Sequence, residues 1–204
     1  MAAQGLHGGD GRIVTVSGDT GPEVSPQFRK LAQFTTGGYG GGRSLFWKAS
    51  WTAVQHLIFD RWWFHRRLRP PLLRLFGAKV GKGCLIRHGV RIHWPWNLEL
   101  GDHVWVGEGA WLQSLVEIFI EDNVCISQRA SIVTGSHDHR DPIFSYDNGP
   151  IVLRSGCWIG TGAIVLRGVT VGRNSVVSAG TVAFRDVPDD TVILCPEPLS
   201  RPIR

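Results

Sequence analysis

The chain has 204 residues, with 22 basic and 17 acidic side chains and a net charge of +5 at pH 7. That length suits one domain with a substantial core, and the modest basic excess fits an anionic ligand, a nucleic acid or a membrane surface without choosing among them. The four cysteines form no Cys-x-x-Cys pair, which disfavours a zinc ribbon or a redox motif, and the N-terminus lacks a signal-peptide pattern, so a cytoplasmic location is expected.

Two segments precede the regular part of the chain. Residues 1–43 are rich in Gly, Ser, Thr and Pro, which predicts a mostly disordered tail. Residues 44–76 carry four of the nine Trp and predict an aromatic-rich helical segment, with Pro70 and Pro71 expected to end the helix. Its longest uncharged run is too short to cross a membrane, which takes about 18 apolar residues. Residues 44–69 are therefore expected to pack on the domain or a partner subunit, with peripheral membrane contact as the alternative.

A six-residue repeat begins at Val80 and continues to position 181. An aliphatic residue opens each hexad, and a small or β-branched residue nearly always follows four positions later; Trp96 is the exception. The period is too short for a helical repeat and fits a short strand followed by a tight corner, with the aliphatic side chain pointing inward. Residues 77–190 are therefore predicted to form a parallel β-helix of about five coils, followed by a C-terminal extension at 191–204. Cys84 and Cys157 occupy small inward positions and are expected to pack.

The repeat is interrupted at regular places. Coils begin at positions 80, 100, 120, 153 and 171, so the steps are 20, 20, 33 and 18 residues against an ideal of 18. In this register all the extra residues fall after the third hexad of a coil, at one corner of the prism. The longest insertion, 138–152, predicts a protruding loop that begins within the stretch "TGSHDH" at 134–139. Functional residues concentrate on loops held by a rigid scaffold.

Three stretches carry a family resemblance: "RIHWPWNLELGDHVWVGEGAWL" (91–112), "IEDNVCISQRASIVTGSHDHRDPIF" (120–144) and "CWIGTGAIVLRGVTVGRNSVVSAGTVAFRDVP" (157–188). They resemble the hexapeptide-repeat acyltransferases, most closely the O-acetyltransferases of colanic-acid and exopolysaccharide synthesis, then the maltose, galactoside and nodulation-factor acetyltransferases. The resemblance implies a left-handed β-helix and a homotrimer with active sites between subunits. It also implies transfer of an acetyl group from acetyl-CoA to a sugar hydroxyl, without a metal.

The resemblance assigns roles on the acceptor side of the site. His137 matches the general base, and imidazole is suited to taking a hydroxyl proton near neutral pH. Asp138 or Asp141 is expected to orient this histidine. Asp141 and Ser114 are expected to contact the acceptor, although Ser114 stands where the relatives often have Asn.

The same resemblance assigns the acetyl-CoA contacts. Gly160, Thr161 and Ala179 match positions along the pantetheine and thioester, and Arg185 of "FRDVP" matches a lysine that contacts the CoA phosphate. Arg201 and Arg204 match a C-terminal basic pair, although the motif preceding them reads "CPEPLS". Thr161 and Ala179 are 18 residues apart and are expected to stack on one face of the helix.

Other functions are less favoured by the sequence. A non-catalytic β-helix scaffold would leave the long loop unexplained. A γ-class carbonic anhydrase needs three histidines around zinc, and His88 and His93 lack a third partner because His103 falls at a different corner. A nucleic-acid binder would interleave basic and exposed aromatic residues along the coils, which this chain does not do.

Overall fold

In the computed structural model, residues 29–37 and 39–195 are described. Within them, short parallel strands wind through three sheets around a triangular prism, making five complete turns and the start of a sixth. Sheet A contains β1 (Lys79–Val80), β4 (Leu98–Leu100), β7 (Ile118–Ile120), β10 (Ile151–Leu153) and β13 (Thr170–Val171). Sheet B contains β2 (Leu85–Ile86), β5 (Trp105–Val106), β8 (Cys125–Ile126), β11 (Trp158–Ile159), β14 (Val176–Val177) and β16 (Val192–Ile193). Sheet C contains β3 (Arg91–Ile92), β6 (Trp111–Gln113), β9 (Ser131–Val133), β12 (Ile164–Leu166) and β15 (Val182–Ala183). The predicted mainly β parallel helix of about five coils is confirmed; its left-handed winding stays an expectation.

The hexad register sets the stacking of the coils. The first inward residues of the five coils lie side by side on sheet A in successive parallel pairs: Val80, Leu100, Ile120, Leu153 and Val171. The equivalent residues on sheets B and C are fully buried, so aliphatic side chains fill the interior of the prism. Burial also raises the pKa of the Cys157 thiol to about 12, in keeping with a packing role for this cysteine.

A helical segment covers the first coils. It contains α1 (Leu45–Val54), a π-helical turn (Gln55–Phe59), a 3-10 turn (Arg66–Leu68) and α2 (Arg69–Leu75). Trp51 is fully buried, and its Nε1–H donates to the Ile92 carbonyl at 2.9 Å. The expectation that Pro70 and Pro71 end a helix is wrong. They lie in the first turn of α2, where a missing N–H costs nothing because it has no partner within the helix.

The prediction of a disordered tail at 1–43 is wrong for its last part; residues 1–28 lie outside the described residues. We call residues 29–43, of which 38 is not described, the strap. Its Lys30 N–H donates to the Pro142 carbonyl at 2.6 Å, and the Tyr39 hydroxyl donates to the Leu115 carbonyl at 2.9 Å. Trp96 Nε1–H donates to the Gly41 carbonyl at 2.8 Å. The strap therefore crosses from the long loop to the first two coils, where the hydrogen bonds of Tyr39 and Trp96 anchor an otherwise small and polar sequence.

Candidate active site

The long loop is a folded arm rooted on sheet C. It runs from 134 to 150, since β9 ends at Val133 and β10 begins at Ile151. The last two positions of the predicted insertion, 151 and 152, therefore belong to β10. At its base, the buried Thr134 hydroxyl donates to the Gln113 carbonyl at 2.6 Å, and the Thr134 carbonyl accepts from Gly149 N–H at 3.0 Å. Further out, His137 and Tyr146 form an antiparallel bridge that fixes the two sides of the arm together.

A tight turn at the tip of the arm is built around Asp141. Its carboxylate accepts from the backbone N–H groups of Ile143 at 3.0 Å and Ser145 at 3.2 Å. Hydrogen bonds from Ser145, and then from Ile143, hold the pKa of Asp141 below its ordinary value. The turn places Phe144 in the left-handed region, with φ of 60°, and directs its carbonyl back toward the arm. Asp141 therefore shapes the loop, and its predicted contact with the acceptor stays a prediction.

The histidine of the arm has a defined tautomer. His137 Nδ1 lies 2.7 Å from the Phe144 carbonyl oxygen, which can only accept, so Nδ1 carries the proton. Neutral imidazole then leaves Nε2 unprotonated and able to take a proton. The expectation that Asp138 or Asp141 orients this ring is wrong. The Asp138 carboxylate accepts from Arg140 N–H at 2.8 Å, and both oxygens of Asp141 hold the turn.

Three aromatic rings surround the half-buried imidazole. Phe144 stacks on it with a centroid distance of 4.1 Å and an interplanar angle of 6°, and Tyr146 lies at 5.0 Å and 26°. Phe34 of the strap approaches with its edge, 5.6 Å away. Sequence reasoning missed Phe34 and the Phe144 carbonyl, because a backbone acceptor has no residue-type signature and Phe34 is distant in sequence.

Ser114 is placed inside the prism wall. It is fully buried, its hydroxyl donates to the Trp94 carbonyl at 2.8 Å, and it accepts from the Trp94 N–H at 3.0 Å. Both of these bonds join one coil to the next. The predicted contact between Ser114 and the acceptor stays a prediction.

The predicted pantetheine residues stack at the corner between sheets B and C. Exposed Thr161 accepts at its carbonyl from Gly180 N–H at 3.0 Å, and its hydroxyl lies 3.3 Å from Gln128 Oε1 in the coil before. Ala179 is exposed one coil further on. Gly160 is required by this stacking, because a Cβ there would lie 2.6 Å from the Ala179 backbone nitrogen.

The predicted phosphate contact lies at the next corner. Arg185 follows sheet C, is exposed, and holds its guanidinium 5.4 Å from the centroid of the Phe184 ring. One coil earlier, Arg167 pairs with Asp147 and ties the long loop to the prism. Arg201 and Arg204 lie outside the described residues. Within one chain, His137 and Arg185 therefore belong to one corner, whereas Thr161 and Ala179 belong to another.

Comparison with known proteins decides the family. The chain is 42% identical over 158 residues to WcaF of Escherichia coli, a protein named for acetyltransferase activity in colanic acid biosynthesis, and the match covers 76% of this chain and 85% of WcaF. The chain belongs to the WcaF family of hexapeptide-repeat acetyltransferases. It is also 29% identical over 126 residues to a galactoside O-acetyltransferase of Lactococcus lactis, covering 59% of this chain and 60% of that protein. No family model matches.

Solved structures place the WcaF-family chain in the same fold. A hexapeptide-repeat acetyltransferase of Vibrio cholerae, solved in complex with acetyl-CoA, aligns with a TM-score of 0.66 and 25% identity over 72% of this chain and 81% of that one. A maltose O-acetyltransferase of Clostridium difficile aligns with a TM-score of 0.65 and 25% identity over 71% and 79%.

Two features, a metal site and a membrane-spanning helix, are absent from the part of the chain that the structure describes. No group of three His, Cys, Asp or Glu side chains is arranged to hold a metal ion there. His88 Nε2 instead lies 3.2 Å from Glu108 Oε2. The His93 ring lies edge-on to the Trp94 ring, with 4.4 Å between the ring centroids. No helix among the same residues is long and apolar enough to span a membrane.

Proposed function

We propose that His137 is the general base with which this chain acetylates a sugar hydroxyl. As a member of the WcaF family, the chain is an acetyl-CoA-dependent O-acetyltransferase of exopolysaccharide synthesis. The observation that carries the residue assignment is the 2.7 Å bond between His137 Nδ1 and the Phe144 carbonyl, because it leaves Nε2 as the basic nitrogen.

The reaction is a direct transfer. Nε2 of His137 takes the proton of the acceptor hydroxyl as its oxygen attacks the thioester carbonyl of acetyl-CoA. The carbon–sulfur bond then breaks, CoA leaves as thiolate, and the imidazolium returns the proton to sulfur. The product is a sugar acetate ester plus CoA. The Phe144 carbonyl stabilises the imidazolium, because Nδ1–H becomes a stronger donor when the ring is charged.

Acetyl-CoA is expected to lie along the stacked corner of Gly160, Thr161 and Ala179, with its anionic end at Arg185. The stacking leaves a continuous, small-residue surface with the exposed hydroxyl of Thr161 on it. Arg185 supplies an exposed guanidinium suited to phosphate. Arg201 and Arg204 remain predicted contacts with the same end of the molecule.

A homotrimer would complete this site. The acceptor base and the pantetheine corner are on different edges of one prism, so a second subunit is needed to bring such edges together. Sheet B offers a surface for this contact, since its outward residues form an apolar row in register across six coils: Leu85, Trp105, Cys125, Trp158, Val176 and Val192. Trp105 and Trp158 are 56% and 50% exposed in the single chain. Closed assemblies bury such rows.

The exposed residues of the helical segment favour a cytoplasmic enzyme that binds peripherally to an anionic membrane surface. Residues 61–68 present Trp62 and Trp63, 80% and 56% exposed, beside Arg61, Arg66 and Arg67. Trp and Arg together suit the headgroup region. Co-sedimentation of the full chain with vesicles containing phosphatidylglycerol tests this contact. Loss of pelleting in W62S/W63S supports it, and equal pelleting, or none by either protein, contradicts it.

Calorimetric titration with acetyl-CoA tests the binding of the donor without knowledge of the acceptor. The full chain is expected to bind, and Arg185→Ala to bind more weakly. Arg173→Ala is the matched control, because Arg173 is an exposed arginine at the corner after sheet A. Equal affinity in all three proteins would remove Arg185 from the site. No binding by the wild type would favour the scaffold alternative.

A further inference from the structure

The strap brings an aromatic residue to the proposed catalytic base. Phe34 follows a 3-10 turn at Leu31–Gln33, and its ring contacts two rings of the long loop, those of His137 and Tyr146. Its centroid lies 5.6 Å from that of His137 and 5.4 Å from that of Tyr146, at interplanar angles of 66° and 86°. Both are edge-to-face geometries of the kind that aromatic rings favour.

The strap is held independently on both sides of Phe34. Before it, Lys30 N–H donates to the Pro142 carbonyl, and the Arg29 guanidinium lies 5.3 Å from the centroid of the Phe144 ring. After it, the Tyr39 hydroxyl donates to the Leu115 carbonyl and accepts from Trp94 Nε1–H at 3.0 Å. Phe34 is therefore placed by contacts with the loop and with the prism, not by its own ring alone.

The hydrogen bond to Phe144 fixes which nitrogen of His137 is protonated, but one bond leaves the plane of the ring free to tilt about it. Phe144 and Tyr146 lie nearly parallel to the imidazole and limit that tilt. Phe34 contacts the rings of His137 and Tyr146 at steep interplanar angles and therefore limits the tilt from another side. These contacts hold Nε2 in one direction, which general-base catalysis needs because the proton must be taken at hydrogen-bond distance.

We propose that Phe34 is a positioning residue for His137, contributed to the active site by the N-terminal strap. The inference rests on the proposed function, in which His137 is the base. Removal of the ring is expected to lower kcat about 3- to 10-fold, the equilibrium effect of losing one or two aromatic edge contacts. The affinity for acetyl-CoA is expected to stay unchanged, because the rings that Phe34 contacts, those of His137 and Tyr146, are not among the residues proposed to bind acetyl-CoA.

The test compares Phe34→Ala with Phe34→Tyr, Leu31→Ala and His137→Ala in the full chain. Leu31 is the matched control, because it lies on the same strap with its side chain 60% exposed. CoA thiol release from acetyl-CoA is measured with the acceptor that supports the fastest wild-type reaction among sugars and glycan fragments, and acetyl-CoA affinity is measured by calorimetry. Phe34→Ala is expected to lose kcat only, while Phe34→Tyr restores it and Leu31→Ala matches the wild type.

A second readout does not depend on the acceptor. Nitrogen-15 spectra of the imidazoles, with His137 assigned by its loss in His137→Gln, are expected to show Nδ1 protonated and the ring signals displaced by the neighbouring aromatic rings. Phe34→Ala is expected to reduce that displacement. Unchanged His137 signals, or a kcat equal to the wild type when His137→Ala is impaired, would overturn the role of Phe34 alone. Normal transfer by His137→Ala would instead overturn the proposed base.

Discussion

Gly160→Ala tests whether close stacking of the coils builds the donor face. The added Cβ would lie 2.6 Å from the Ala179 nitrogen and 2.8 Å from the Val177 oxygen, both backbone atoms of the next coil. Ordinary contacts of this kind are near 3.5 Å, so the two coils must separate by several tenths of an ångström. Overpacking of this order costs about 1–3 kcal/mol, and in a domain of this size we expect a melting temperature about 6 °C lower.

The measurement is thermal unfolding followed by circular dichroism, paired with acetyl-CoA affinity. The matched control is Gly40→Ala, because a Cβ at Gly40 would meet no atom within 4 Å and its φ lies outside the left-handed region. The control is expected to melt at the wild-type temperature or slightly above it, because Ala restricts the unfolded chain more than Gly does. Equal melting of Gly160→Ala and the control, with equal affinity for acetyl-CoA, would refute the idea that stacking at this corner is tight.

Three further results are expected. Asp141→Asn is expected to speed proteolysis of the loop at neutral pH, because the carboxylate holds the turn at the tip. Hydrogen bonding lowers the pKa of Asp141, so the stability that the carboxylate contributes is complete above the ordinary carboxyl pKa and is lost as the pH falls through the lowered pKa of the folded protein. An equal difference in proteolysis between variant and wild type at every pH would contradict the reasoning. Trp158→Glu places a charge in the apolar row of sheet B and is expected to give monomers in sedimentation equilibrium, whereas an unchanged assembly would exclude this face as the contact. Trp51→Phe removes a buried donor to the Ile92 carbonyl and is expected to cost about 1–3 kcal/mol in urea unfolding; an unchanged midpoint would show that the bond adds nothing.

The prism was predictable because its cause is local and periodic. An inward aliphatic residue every six positions fixes both the strands and their register, so the coil starts at 80, 100, 120, 153 and 171 coincide with paired residues of sheet A. The insertion was predictable for the same reason, since an excess of residues over the repeat has to leave the prism at a corner.

The details around His137 were not predictable in this way. The Phe144 carbonyl orients the ring, and a backbone group leaves no mark in the sequence beyond the turn that directs it. Composition identified the strap as a tail because glycine and threonine dominate it, yet Phe34 and Tyr39 anchor it to residues about 100 positions later. Pro70 was interpreted as a helix end when its position after the Arg66–Leu68 turn makes it a helix beginning.

The most direct measurement is the initial rate of acetyl transfer by His137→Ala, with acetyl-CoA and the best acceptor found among sugars and glycan fragments. The account predicts a rate about 10²- to 10⁴-fold below the wild type, the usual contribution of a general base, with the acetyl-CoA affinity retained. A rate within about threefold of the wild type would contradict the account, because that loss is smaller than removal of a general base produces.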